Sequence, residues 1–208
     1  MRGFVGQEGR HRREHQDYNE SLCAQRGYDL VRLEHKQRER IAWMQTNTSR
    51  YQWLAATVAL EHITAILADT ILRRGDMVEK MDPSVRDLWV WHSIEETEHK
   101  AVAFDLYQDV DGGYWRRQRT FFTGTAYLIG FSAYFTWQFL KQDGVNRQPL
   151  TLAKGLWKMF GYRGVVSAAI PAWFQYLRPD FHPWQDDNTH LLDAWRATLP
   201  EPAVSAAA

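Results

Sequence analysis

Five of the eight histidines in this 208-residue chain fall in three short stretches, each with a glutamate close by. The first is Gln7-Glu8-Gly9-Arg10-His11, with His15 one helical turn on. The second is Glu61-His62. The third is His92-Ser93-Ile94-Glu95-Glu96-Thr97-Glu98-His99. At about 100° per residue, Glu8, His11 and His15 share an arc of roughly 60° on one helix face, and His92, Glu95, Glu96 and His99 share about 100°, whereas Glu98 points elsewhere. Glu61 has Leu54, Val58, Ala65 and Ala68 at helical-neighbour spacing. A carboxylate on such an apolar face must be paired, protonated or bound to a cation. Carboxylates and imidazoles in this proportion suit divalent metal ions.

Each stretch also has a plain structural reading. Glu8 and His11 sit in a charged run with Arg10, Arg12, Arg13 and Glu14, and alone they would pass for solvated helix residues. The third cluster could be a solvated face of i,i+4 ion pairs, but Trp89, Trp91, Ile94, Val102 and Phe104 leave that face little water. His35 lies in a charge run, His182 reads as a turn residue, and His190 has no partner pattern. Taken jointly, Glu8/His11 and Glu96/His99 are two Glu-x-x-His pairs with a helical glutamate between them. That is the donor pattern of ferritin-like helical bundles, which hold two metals between facing helices.

The elements that must carry these residues are helical. Residues 2–26 contain no proline and end at Gly27, a C′ position. Residues 29–45 form a charged helical stretch, and 50–73 an apolar one closed by Gly75-Asp76. Asp82-Pro83 is a strong start signal, Asp as N-cap and Pro at the first helical position. From there nothing breaks the pattern before Asp111-Gly112-Gly113. Residues 120–140 are uncharged throughout, long enough to cross a bilayer but rich in Thr and Ser. The alternative is a helix packed on the bundle, with the preceding Arg116, Arg117 and Arg119 solvated. Short helices follow near 150–160, 163–177 and 187–198, then a frayed tail. The chain reads as all-α: a metal-binding bundle over 1–111, an apolar and basic extension over 112–198, and a disordered end over 199–208.

Trp91-His92-x-x-Glu95-Glu96-x-Glu98-His99-Lys100-Ala101-Val102-Ala103-Phe104-Asp105, Gly6-Gln7-Glu8-x-x-His11 and Leu60-Glu61-His62 resemble the bacterial "predicted metal-dependent hydrolase" family. So does Tyr176-Leu177-Arg178-Pro179-x-Phe181-His182-Pro183-Trp184. The resemblance implies metal binding through Glu8, His11, Glu61, Glu96 and His99, with His15, His92 and Glu95 as further candidates. In a hydrolase of this kind metal-activated water is the nucleophile and Glu95 the candidate general base. Two divalent ions are expected, iron first, with zinc or manganese as alternatives. The same ligands would equally suit an oxygen-activating di-iron oxidoreductase. Compared with the family pattern the chain reads as shortened at its N-terminus, so a non-catalytic remnant is a third alternative.

Composition narrows the partners. Lysine plus arginine (25) equals aspartate plus glutamate (25), so no charge excess advertises nucleic acid. The single Cys23 excludes a disulfide framework and any thiolate cluster within the chain. No leader pattern opens the sequence, which points to the cytoplasm. Residues 61–111 hold 12 acids and 5 bases, whereas 112–178 hold 9 bases and 1 acid. Basic charge beside apolar helices predicts peripheral docking of 112–178 on the cytoplasmic leaflet. The remaining partners expected are a small apolar substrate and, as oligomer, a homodimer.

Overall fold

The computed structural model describes residues 2–199, and the end of the expected tail, 200–208, lies outside them. Among the described residues there are ten α-helices, one 3-10 turn and no strand. The order is α1 (Arg2–Arg26), α2 (Leu30–Asn47), α3 (Arg50–Leu72), α4 (Gly75–Val78), α5 (Pro83–Glu98), α6 (Val102–Val110), α7 (Tyr114–Gln142), α8 (Pro149–Phe160), α9 (Val165–Gln175), the 3-10 turn Pro183–Gln185, and α10 (Thr189–Arg196).

Helix ends follow local chemistry. Gly27 takes φ +70, and the Tyr28 amide reaches back to the Cys23 carbonyl at 2.9 Å, the six-to-one bond of a Schellman close. Asp29 and Ser49 accept amides of their own first turns, from Arg32 and Gln52. Asp82 caps α5 by accepting from the Ser84 amide, with Pro83 in the first turn.

Two boundaries differ from the sequence reading. Gly75-Asp76 does not simply close α3; it opens the one-turn α4. The expected helix from 83 to 110 is broken at His99–Ala101 into α5 and α6. Ser93 Oγ donates to the Trp89 carbonyl at 2.7 Å, and Thr97 Oγ1 to the Ser93 carbonyl at 2.9 Å. Such back-bonding bends a helix. The Val102 amide then bonds the His99 carbonyl three residues back, a tighter turn. Lys100, inside the break, sends its ammonium to the Asp186 carbonyl and Asn188 Oδ1. That tertiary anchor has no counterpart in helical periodicity.

Helix α3 is the hub, packing on α5, α6, α7 and α9. One core cluster joins Val58, Ala59 and Ile63 of α3 to Phe104, Tyr107, Phe121, Tyr176 and Phe181. A second joins Leu72, Val78, Val90, Ile94 and Leu192. Among the described residues α3 is the one helix long and apolar enough to cross a membrane, and nearly half of that stretch is already buried by protein. The 120–140 run lies inside α7, whose buried residues are Arg117, Gln118, Thr120 and Phe121. Arg117, expected to be solvated, is therefore in the interior.

His62 belongs to this core. Its ring stacks on Tyr176 at 4.6 Å and meets Phe181 at 5.0 Å. Burial drives its pKa down to about 3, so the folded protein holds it neutral. The unfolded chain takes up a proton near pH 6.5, so stability from this residue is full above that pH and declines as pH falls towards 3. We expect His62→Phe to flatten the loss of unfolding free energy between pH 6 and pH 4 by up to about 1.4 kcal/mol per pH unit. Urea denaturation across that range measures it, and parallel slopes for both proteins would refute the assignment.

Candidate metal centre

Three helices bring the expected residues together. Helix α1 contributes Glu8, His11 and His15; α3 contributes Glu61; α5 contributes His92, Glu95 and Glu96, and His99 stands at the break after it. One donor atom each from Glu8, His11, Glu96 and His99 lies within 4.8 Å of the others. Glu8 Oε1 sits between the two imidazoles, 3.5 Å from His11 Nδ1 and 3.3 Å from His99 Nε2. Glu96 Oε1 is 3.6 Å from His11 Nδ1 and 3.5 Å from His92 Nε2.

The other nitrogen of each histidine faces a second carboxylate. His99 Nδ1 is 3.2 Å from Glu61 Oε2, and His11 Nε2 is 2.8 Å from Glu95 Oε2. A carboxylate behind an imidazole fixes the ring and raises the basicity of its far nitrogen. Glu95 is fully buried, and its Oε1 accepts from the Arg10 guanidinium at 3.3 Å. With Oε1 held by Arg10 and Oε2 set against His11, it is placed to orient that ring. His15 stands further out, its ring 4.7 Å from His92 and 5.7 Å from Trp89.

The electrostatics follow from this crowding. Burial alone would lower the His11 pKa, but Glu8 and Glu95 outweigh it and push it up to about 9. His99 moves up against the same burial cost because Glu61, Glu96 and Glu8 surround it. Burial raises Glu96. It lowers His92 to about 3, helped by the neighbouring histidines, and lowers His15 in the same direction. Carboxylates that raise two imidazoles this way are calling for positive charge, which is what a divalent cation supplies.

A family sequence model described as "Predicted metal-dependent hydrolase" matches residues 1–187. The chain belongs to this family. No curated protein and no solved structure matches it.

The residues present fit the metal that the family's description implies. Glu8 Oε1, Glu61 Oε2 and both ring nitrogens of His11 and of His99 are buried without a hydrogen-bond partner among the described residues. Buried polar atoms are ordinarily satisfied, so unpaired atoms gathered around Glu8, His11, Glu96 and His99 suit a site able to hold a metal ion. All donors are oxygen or imidazole nitrogen, which suits iron, zinc or manganese.

The sequence reading missed three supports. Thr64 Oγ1 donates to Glu96 Oε2 at 2.6 Å, leaving Oε1 for the cluster. Its signal was present, since Thr64 lies one turn after Glu61. Phe4 sets its ring edge-on to His99 at 5.1 Å. Arg10, in a run that reads as solvated, carried no signal. Among the remaining histidines, His35 is exposed beside Glu39, and His190 is exposed. His182 caps the 3-10 turn, its Nδ1 accepting from the Trp184 amide, and its Nε2 lies 2.9 Å from Asp105.

Proposed function

We propose that this protein is a metal-dependent hydrolase of a small apolar substrate, with a dinuclear centre held by Glu8, His11, Glu61, Glu96 and His99 and extended by His92. The observation that carries it is the convergence of one donor atom each from Glu8 and His11 of α1, Glu96 of α5 and His99 at the break, all within 4.8 Å of one another, with Glu61 of α3 behind His99. Divalent ions bound there would lower the pKa of a bound water to near neutrality. The chain's own residues hold the centre. Arg10 positions Glu95, Glu95 positions His11, and Thr64 fixes one oxygen of Glu96. Glu8, between two imidazoles, would hold the metal together with them. Phe4 and Trp91 give the surroundings an apolar character that keeps bulk water from competing.

The same all-oxygen-and-nitrogen donor set also supports a di-iron oxidoreductase, and the two Glu-x-x-His pairs are what favour it. One protocol separates these readings. The purified chain is analysed for bound metal, stripped with chelator, and reloaded with zinc, manganese or iron(II). Each form is then assayed for ester hydrolysis and for oxygen consumption. We expect near two equivalents of metal and hydrolysis that returns only with metal. One equivalent would restrict the centre to Glu8, His11, Glu96 and His99, with Glu61 and Glu95 as orienting carboxylates. Oxygen consumption without hydrolysis would favour the oxidoreductase, and negligible metal content would end both.

A further inference from the structure

Helix α8 is the least protected element of the fold. None of its twelve residues is buried. Projected at about 100° per residue, Pro149, Leu150, Leu152, Ala153, Leu156, Trp157, Met159 and Phe160 cover one half of the cylinder, and Thr151, Lys154 and Lys158 the other. Packing on α9 removes little of that apolar half from solvent: Leu156, Trp157 and Phe160 remain 60%, 67% and 59% exposed. Tyr162, just beyond, is 87% exposed. A shallow groove on α8 is lined by Leu150, Ala153, Lys154, Trp157 and Lys158. An apolar face this wide signals a partner.

Charge identifies the partner. Residues 144–178 contain five bases and no acid. A second copy docked isologously through α8 would set Lys154 and Lys158 against their own like, with no carboxylate in the segment to answer them. An anionic bilayer answers both halves of the helix at once: acyl chains take Leu156, Trp157 and Phe160, and headgroup phosphates take the lysines. Trp and Tyr at the edge of such a face favour the headgroup boundary. We propose that α8 lies in the surface of an anionic membrane as an amphipathic, non-spanning helix. This surface is separate from the metal centre, whose residues lie on α1, α3 and α5, and it stands whatever chemistry that centre performs.

Co-sedimentation of the full chain with vesicles tests it, using phosphatidylcholine alone and phosphatidylcholine with about one third phosphatidylglycerol. We expect binding to the anionic vesicles that falls at least fivefold between 50 mM and 500 mM salt, because screening weakens exposed charges. Two variants keep the test specific, Lys154→Glu/Lys158→Glu and Trp157→Ser/Phe160→Ser. Their side chains are exposed, so thermal melts should match the parent, and each should lose at least fivefold in anionic binding. Absence of binding to either vesicle, salt-independent binding, or wild-type binding by both variants overturns the proposal. Self-association abolished by Trp157→Ser/Phe160→Ser, without vesicle binding, would assign the face to a second copy instead.

Discussion

Glu96→Ala and His99→Ala should each cut bound metal by half or more, while Glu98→Ala leaves it unchanged. Glu96 and His99 both place a donor in the four-atom cluster. Losing either removes a ligand and leaves Glu8 or His11 facing an empty position, so affinity should drop more than about a hundredfold, beyond the range seen for outer-shell changes. Glu98 sits two residues from Glu96, carries the same carboxylate, and is turned off the ligand face of α5. There it pairs with Arg196 and accepts from Gln7 Nε2 at 3.4 Å. The contrast controls for net charge, since Glu96→Ala and Glu98→Ala remove the same charge from the same helix. Elemental analysis of the three purified variants reads it out. Equal metal loss for Glu96 and Glu98 would mean that charge, not coordination, retains the metal.

Arg117→Ala should be among the most destabilising changes away from the metal centre. The guanidinium is buried, and among the described residues it pairs with no acid. It donates to the Tyr176 carbonyl at 3.0 Å and to the Arg178 carbonyl at 2.8 Å, and lies over the Tyr176 ring at 4.8 Å. Burial pushes its pKa down, though far from neutrality for a guanidinium. These bonds clamp the Tyr176–Trp184 segment against α7. The Tyr176 carbonyl keeps a second donor in Gln118 at 3.3 Å, but Arg178 loses its partner. Hydrogen bonds to a charged group are worth about 1.5–3 kcal/mol each, so a loss of about 3–5 kcal/mol is expected, or a Tm lower by on the order of 10 °C. Arg117→Lys should recover little of it, because an ammonium lacks the planar fork that reaches both carbonyls. Bound metal below the Tm should stay at the parental level. Parental stability in Arg117→Met would show that the side chain only fills space there.

Much of the candidate metal centre was legible in the residue order. Helical phase is a local property, so Glu8 with His11, and Glu96 with His99, had to project together once α1 and α5 formed. The caps at Asp82 and Gly27 are equally local, each depending on one side chain or one φ angle. Glu61 was recognisable because a carboxylate on an apolar helical face needs a partner. These conclusions need only a few consecutive residues and the geometry of one turn.

What the residue order left open depends on contacts between distant segments. Which nitrogen of His11 faces Glu8, and which faces Glu95, follows from how α1 lies against α5. The break at His99 depends on Lys100 reaching a loop 86 residues away. Arg117 reads as a surface residue beside Arg116, and only the carbonyls of Tyr176 and Arg178 make its burial tolerable. His62 stands next to a metal-ligand candidate yet points into an aromatic core, because adjacent residues on a helix diverge by about 100°. The bare face of α8 is the same lesson in reverse. Its amphipathic pattern is plain in the sequence, but only the packing of α9, which removes little of that face from solvent, shows that the fold leaves it uncovered.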